Sequence, residues 1–392
     1  MIYLRAALVA TLLAGAAGSA APGQTGGPQR PAARSRRAAA AEKPLLVACY
    51  YVWYETGDHP RWPWSNWTRK EAAENPLAKA AQRPGEPPIS SAAYPLIGLY
   101  DSSNTEIAEW HVRLAQATGI EAFLVSWWDE HKDRDEAWEN GIFTAAERLG
   151  FKVALLDERA QFHNDFDWYK DRLVTALGRF KDSSAYLRID GKPVVYLYQV
   201  ARNATLTPAE FTELKTHVEA VHGPVYWIVD KIAHNHPAAR AGKTDEIKHI
   251  PGDWLATPGI DCFGFYSTFS NFRAHTYKDV AGKYRYLAAL AHGAGKQMLL
   301  PVHPGHDNSH FRDDPYIMPH RNGQTLKDYL RAAEDAGADI VMVTSWNEWP
   351  ETTGVEPAAT WDDPYQYLRI LAEWKGIDFR APPLPAAGKD RR

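Results

Sequence analysis

Residues 340–351 read Ile-Val-Met-Val-Thr-Ser-Trp-Asn-Glu-Trp-Pro-Glu. The run opens apolar without alternation and turns abruptly to aromatic, amide and acid. Continuous hydrophobicity over so few residues fits a strand buried on both faces, the kind found in parallel sheets covered by helices. The same pattern recurs upstream at Leu45–Tyr51, Glu121–Trp127, Lys152–Leu156, Pro193–Tyr198, Val225–Val229, Cys262–Tyr266 and Gln297–Val302, and Ile340–Ser345 completes eight strand candidates.

Helical stretches separate them. Ser103 and Glu106 are spaced as a capping box ahead of the apolar stripe Ile107, Trp110, Leu114 and Ala117. Thr207-Pro208-Ala209-Glu210 places proline in the first turn before Phe211, Leu214 and Val218. Tyr284 to His292 and Thr325 to Ala336 also read as helices, and Gly119, Gly150, Gly295 and Gly337 fall where left-handed helix caps favour glycine. Eight β–α alternations predict an α/β fold, a single-domain (β/α)8 TIM barrel.

A barrel of this kind carries its chemistry where the strands end. Those ends read Tyr50 to Tyr54, Ser126-Trp127-Trp128-Asp129, Asp157-Glu158-Arg159, Tyr198-Gln199, Asp230-Lys231, Tyr266-Ser267, His303 to Asp307, and Trp346-Asn347-Glu348-Trp349. Aromatic rings, carboxylates and amides on one rim suit sugar C–H faces and hydroxyls. The chain has 15 Trp and 12% aromatic residues, many beside turns rather than in periodic stripes, although core packing accounts for a large part of them.

Glu348 and Glu351 are the candidate catalytic pair. Cleaving a glycosidic bond needs one group to protonate the leaving oxygen and another to support the developing cation. In a helical turn, residues three apart share a face at roughly 5–6 Å between Cβ atoms, a spacing compatible with retaining enzymes. Two such acids in an aromatic pocket drive their pKa values apart. Helix-capping surface glutamates are the plain alternative. Asn347 is placed to hold a sugar hydroxyl, and Tyr51, Trp53, Trp127, Trp128, Glu158, Tyr198, Tyr266 and His306 are the other substrate-binding candidates. Alternation along a strand turns at least one of Trp127 and Trp128 to the pocket. Glu158 is equally well read as a salt-bridge partner of Arg159, and Asp101-Ser102-Ser103 as a helix cap.

His303, His306 and His310 offer imidazoles for a metal. Their Pro-Gly turn is not one face of a helix and matches no zinc spacing, so sugar contacts are the preferred reading and neither metal nor cofactor is expected. His234 and His236 sit in a polar stretch as solvated loop residues. No phosphate-cradling glycine loop and no Gly-x-Ser-x-Gly elbow occurs.

The first residues set a compartment. Met1–Arg5 carries a positive charge, Ala6–Ala17 is small and apolar, and Gly18-Ser19-Ala20 supplies a cleavage site. Residues 1–20 therefore read as a signal peptide, too short to span a bilayer, for a secreted or periplasmic protein with no membrane association after cleavage. Residues 21–43, rich in Ala, Gly, Pro and Arg, read as a disordered linker, 44–385 as the catalytic barrel, and 386–392 as a flexible tail. A formal charge of −4 shows no basic face for nucleic acid. Cys49 and Cys262 look like buried small residues, with a single disulfide open to them. Asn66 and Asn203 fit glycosylation sequons, and nothing in the chain fixes an oligomeric state.

The sequence resembles glycoside hydrolase family 99, the endo-α-mannosidase and endo-α-mannanase family. The likeness runs through Tyr50–Tyr54, Gly98–Ser103, Ala117–Ile120, Val125–Trp128, Phe263–Tyr266, Pro304–Asp307 and, most specifically, Thr344–Trp349 through Glu351 to Glu356-Pro357. It implies the same barrel, no metal, and retention of anomeric configuration. Glu348 would draw the proton from the sugar's 2-hydroxyl, whose oxygen attacks its own anomeric carbon to give a 1,2-anhydro sugar. Glu351 would act as general acid and then general base, with Glu158, Tyr198, Trp127 and Tyr266 lining a mannose pocket. The chain departs from the family at Pro350-Glu351-Thr352-Thr353-Gly354, where His-Glu-Gly-Thr-Gln is usual, and at His306, where tyrosine is common. The expected substrate is thus an α-mannoside or related oligo- or polysaccharide. The alternatives are a metal-dependent hydrolase using the 303–310 histidines and a non-catalytic carbohydrate-binding barrel.

Overall fold

The computed structural model describes residues 43–57, 63–128, 135–158, 165–198, 206–231, 249–267 and 276–386. The signal segment, the linker except for Lys43, Asp129, Arg159, Gln199, Asn203, His234, His236 and nearly all of the expected tail lie outside them. A compact unit begins at Lys43.

All eight expected strands form. They are β1 (Leu45–Tyr50), β2 (Ala122–Trp127), β3 (Lys152–Asp157), β4 (Lys192–Leu197), β5 (Tyr226–Asp230), β6 (Cys262–Gly264), β7 (Gln297–Val302) and β8 (Ile340–Val343). Each pairs in parallel with its neighbour, and β8 pairs with β1, Leu45 opposite Ile340, to close the cylinder. A two-residue strand, Arg188–Ile189, lies antiparallel on β4. Every residue of β2 and β5 is buried, as a barrel wall between helices and a filled interior requires.

Two strands, β6 and β8, stop two residues sooner than their hydrophobicity predicts, because backbone partners change. Tyr266 N–H donates to the Asp230 carboxylate (3.2 Å) instead of continuing the β6 ladder. Ser345 N–H turns to the carbonyl of Thr353 (3.0 Å), after a cis peptide at Thr344–Ser345.

Helices follow the strands: Thr105–Thr118, Phe166–Phe180, Pro208–His222, Tyr277–Gly293, Gln324–Asp335 and Gln366–Lys375, with a π-helical Ala137–Phe143 running into Thr144–Leu149 and a short Gly252–Leu255. The Thr207–Glu210 capping box forms as its spacing predicts. The first helix is capped differently from expectation. Asn104, not Ser103, accepts from the N–H groups of Glu106 and Ile107, while Ser103 turns back to Asp101. Asn104 stands one residue closer to the helix, where its shorter reach satisfies two orphan donors at once. Gly119 ends that helix at φ 82°, a conformation that disfavours other residues.

Cys49 and Cys262 are buried free thiols on β1 and β6. The Asn66 amide donates inward to the carbonyl of Trp53 (2.8 Å). No helix among the described residues is long and apolar enough to cross a membrane.

Candidate active site

The loop after β8 is bolted to β1. Trp346 N–H donates to the Cys49 carbonyl (2.7 Å), and the Asn347 amide brackets Tyr51, accepting from its N–H (2.8 Å) and donating to its carbonyl (2.9 Å). Tyr54 donates its hydroxyl to the Asn347 carbonyl (2.7 Å) and accepts from Trp349 N–H (3.0 Å). Asn347 is fully buried and also donates to the Tyr100 hydroxyl. Asn347 was expected to hold a sugar hydroxyl, and these bonds show what holds Asn347 itself. Its amide is committed to the β1 backbone, and it positions the loop.

Glu348 comes next, oriented by its own N–H donating to the Ser345 hydroxyl (2.7 Å). Trp349-Pro350-Glu351 form one 3-10 turn, which brings residues three apart onto one side and sets Glu351 near Glu348. Glu348 is buried, whereas the Glu351 side chain keeps 27% of its surface exposed. Tyr266 donates its hydroxyl to Glu348, and Tyr51 donates in turn to Tyr266 (2.7 Å). Burial first, and then the Glu348 charge, push the Tyr266 phenol up, so it remains a neutral donor. Burial foremost, followed by the neighbouring Glu351, holds the Glu348 carboxyl well above the usual carboxylate range, against the opposing pull of the Tyr266 hydrogen bond and the Arg69 charge.

The aromatic walls follow from strand ends. Trp53 stacks on Tyr51 at 4.0 Å and 20°, and Tyr198 meets Tyr266 edge-on at 5.1 Å. Trp127 is buried, its indole N–H without a hydrogen-bond partner among the described residues, while Trp128 is half-buried and donates to Ser126 Oγ (3.0 Å). That hydroxyl donates to Glu158 (2.7 Å), whose charge bears on Glu348. Tyr51, Glu158, Tyr198, Tyr266, Glu348 and Glu351 thus gather at the C-terminal ends of their strands, where a barrel places its chemistry.

His306 lies with Nδ1 3.6 Å from a Glu351 oxygen, and burial lowers its pKa to about 4, leaving a neutral ring at pH 7. The other histidines turn elsewhere. His303 is buried against Tyr329 and the Thr344 carbonyl, and His320 meets the Tyr367 hydroxyl (2.6 Å). Among the described residues no three His, Cys, Asp or Glu side chains gather as a bound ion would require, so the metal-dependent alternative has no ligand set.

Behind the pocket is a network that strand-end reasoning passed over. Glu356 is fully buried and accepts from Tyr100 (2.8 Å) and Trp349 Nε1 (2.9 Å), with His111 Nε2 at 3.1 Å. His111 in turn meets the Tyr50 hydroxyl (3.0 Å). A signal for His111 was present: it falls on the apolar stripe of its helix, four residues after Ile107, where a polar side chain must find a buried partner.

A closed barrel with carboxylates and aromatic rings at its strand ends is an arrangement that glycosidases use. The chain belongs to glycosyl hydrolase family 99, whose model matches residues 42–373. A glycoprotein endo-α-1,2-mannosidase-like protein of Danio rerio is 28% identical over 338 residues, covering 79% of this chain and 70% of that one. Its Homo sapiens counterpart is 24% identical over 347 residues, covering 80% and 68%. The endo-α-mannosidase structure from Bacteroides thetaiotaomicron shares the fold at a TM-score of 0.65 and 20% identity, over 84% of this chain and 95% of that chain. The protein is a glycoside hydrolase with a carbohydrate substrate.

Proposed function

We propose that the chain is a secreted or periplasmic enzyme that cleaves internal α-mannosidic bonds, or closely related ones, with retention of configuration. The observation that carries this reading is the Glu348–Glu351 pair: one acid buried and held by Tyr266, the other on the same turn and open to solvent. The names of the zebrafish and human relatives support the choice of α-mannoside.

In the first step Glu348, as carboxylate, takes the proton of the 2-hydroxyl. The freed oxygen bonds to the anomeric carbon, the glycosidic C–O bond breaks, and Glu351 gives its proton to the departing oxygen. In the second step Glu351 takes a proton from water, the water oxygen bonds to the anomeric carbon, the strained C1–O2 bond opens, and Glu348 returns its proton to O2. A base with a raised pKa is a stronger base once ionised, and the Tyr266 hydroxyl and the Arg69 charge favour the ionised form. Closure of the sugar over Tyr51 and Trp53 would exclude water from this exchange.

The test is a screen of the purified mature chain against α-mannans, with products sized and their anomeric form read early by NMR. Retained configuration in internal fragments is expected; inverted product removes the mechanism. Glu351→Gln should abolish turnover while ligand binding persists, and full turnover in that variant would remove Glu351 from its role. N-terminal sequencing of the exported protein should begin close after Ala20.

A further inference from the structure

A cationic element borders the acidic pocket, and neither of its side chains donates or accepts a proton in the chemistry above. Arg69 precedes the short helix Lys70–Glu74, and its guanidinium lies 4.9 Å from the ring centre of Phe311. The guanidinium of Arg312 lies 4.8 Å from the same ring. Phe311 is buried in a small cluster with Ala72 and Ala78, and the Asn75 amide donates to the Ser309 carbonyl (2.9 Å), so the two loops carrying these arginines are locked together. A guanidinium held over a ring face can still offer its N–H groups to a planar or tetrahedral oxyanion.

The donors are in place without an acceptor. Arg69 Nε is buried and has no hydrogen-bond partner among the described residues. Among the described residues neither Arg69 nor Arg312 has a carboxylate within ion-pair distance. Asp313 and Asp314 follow Arg312 in sequence without pairing to it, and Asp307 is turned to Ser309 N–H (2.9 Å). Both loops border the site: Trp67, two residues before Arg69, has its ring 6.4 Å from that of Trp349, and His306, six residues before Arg312, lies 3.6 Å from Glu351. A buried donor left open beside a binding pocket calls for a ligand atom. Neutral mannose offers hydroxyls, which leave two guanidinium charges unmatched; an acidic sugar matches them.

We propose that Arg69 and Arg312 form an anion-accepting edge of the sugar site and select a glycan bearing a carboxylate, sulfate or phosphate ester beside the bond to be cleaved. The inference rests on the glycosidase reading for the place of the sugar. The preference for charge is measurable without turnover.

Tryptophan fluorescence of the full mature chain is titrated with D-mannose, D-mannuronate, mannose 6-sulfate and mannose 6-phosphate at low ionic strength, and again in about 0.5 M NaCl, where exposed charges are screened within a few ångströms. At least one acid should bind about tenfold more tightly than D-mannose, as a charge-assisted contact predicts, and which acid it is identifies the anion. The gap should narrow in salt. It should close in the double variant Arg69→Met, Arg312→Met and persist in part in Arg69→Lys. Arg312→Met alone, on an exposed position, should narrow the gap even if Arg69→Met fails to fold. Equal affinities for all four sugars, no binding of any acid, or a gap unchanged in the arginine variants overturns the proposal. An enzyme inactive on every α-mannan that still prefers acids sinks the hydrolytic reading alone; an active enzyme indifferent to charge sinks this one alone.

Discussion

Glu348 and Glu356 come from the same loop, eight residues apart, and both are buried, yet their surroundings are opposite. Glu356 sits among three donors, Tyr100, Trp349 and His111, so its oxygens are matched on all sides. Glu348 has one side-chain donor among the described residues, Tyr266, and a second carboxylate as neighbour. Burial by itself makes a carboxylate either structural or reactive. The number of donors around it, and the sign of the nearest charge, decide which.

The comparison breaks first under removal of charge. Glu348→Gln should lower kcat/KM by about 10³-fold, the scale of a lost general base, while thermal unfolding moves up by about 1–3 °C because a costly buried charge is gone. A variant that loses stability instead would place Glu348 with Glu356 as a structural acid. Glu356→Ala should do the reverse. It strands His111, Tyr100 and Trp349 and should cost about 3–4 kcal/mol in denaturant unfolding, with activity lost only as folding is lost.

A smaller effect concerns His306, whose folded pKa of about 4 lies below the ordinary histidine value of 6.5. The unfolded chain therefore binds a proton at higher pH than the native one. Stability from this residue is complete above about pH 6.5 and declines by about 3 kcal/mol as pH falls toward 4. His306→Asn should flatten that part of the stability–pH curve, and an unchanged slope would show the ring is solvated. The smallest is Tyr266→Phe. Losing one donor to the charged form should lower kcat by about tenfold and move the acid limb of the pH–rate profile upward, since Glu348 must then ionise without that hydrogen bond. An acid limb in the ordinary carboxylate range in the wild type would contradict the raised pKa of Glu348.

Much of this arrangement was legible before any coordinates. The eight strands announce themselves because a strand buried on two faces must be apolar throughout, and Thr207 to Glu210 announces a helix start because its side chains satisfy backbone donors locally. Ser103 misled because Asn104, beside it, competes for the same donors with better geometry. The bracing role of Asn347 was not legible for a longer-range reason: its partner, Tyr51, is 296 residues away. Strand-end position brought Tyr51, Tyr198 and Tyr266 to notice, but nothing local shows that Tyr51 and Tyr266 are linked hydroxyl to hydroxyl.

The order of apolar runs and helix signals, read along the chain, determined the barrel and the rim on which its acids stand, since periodicity and capping act between near neighbours. Closure of β8 on β1 decided the rest. It separated the solvent-facing Glu351 from the buried Glu348, and both from the enclosed Glu356. Desolvation and hydrogen-bond count depend on which distant side chains surround a group, and only the folded cylinder brings those side chains together.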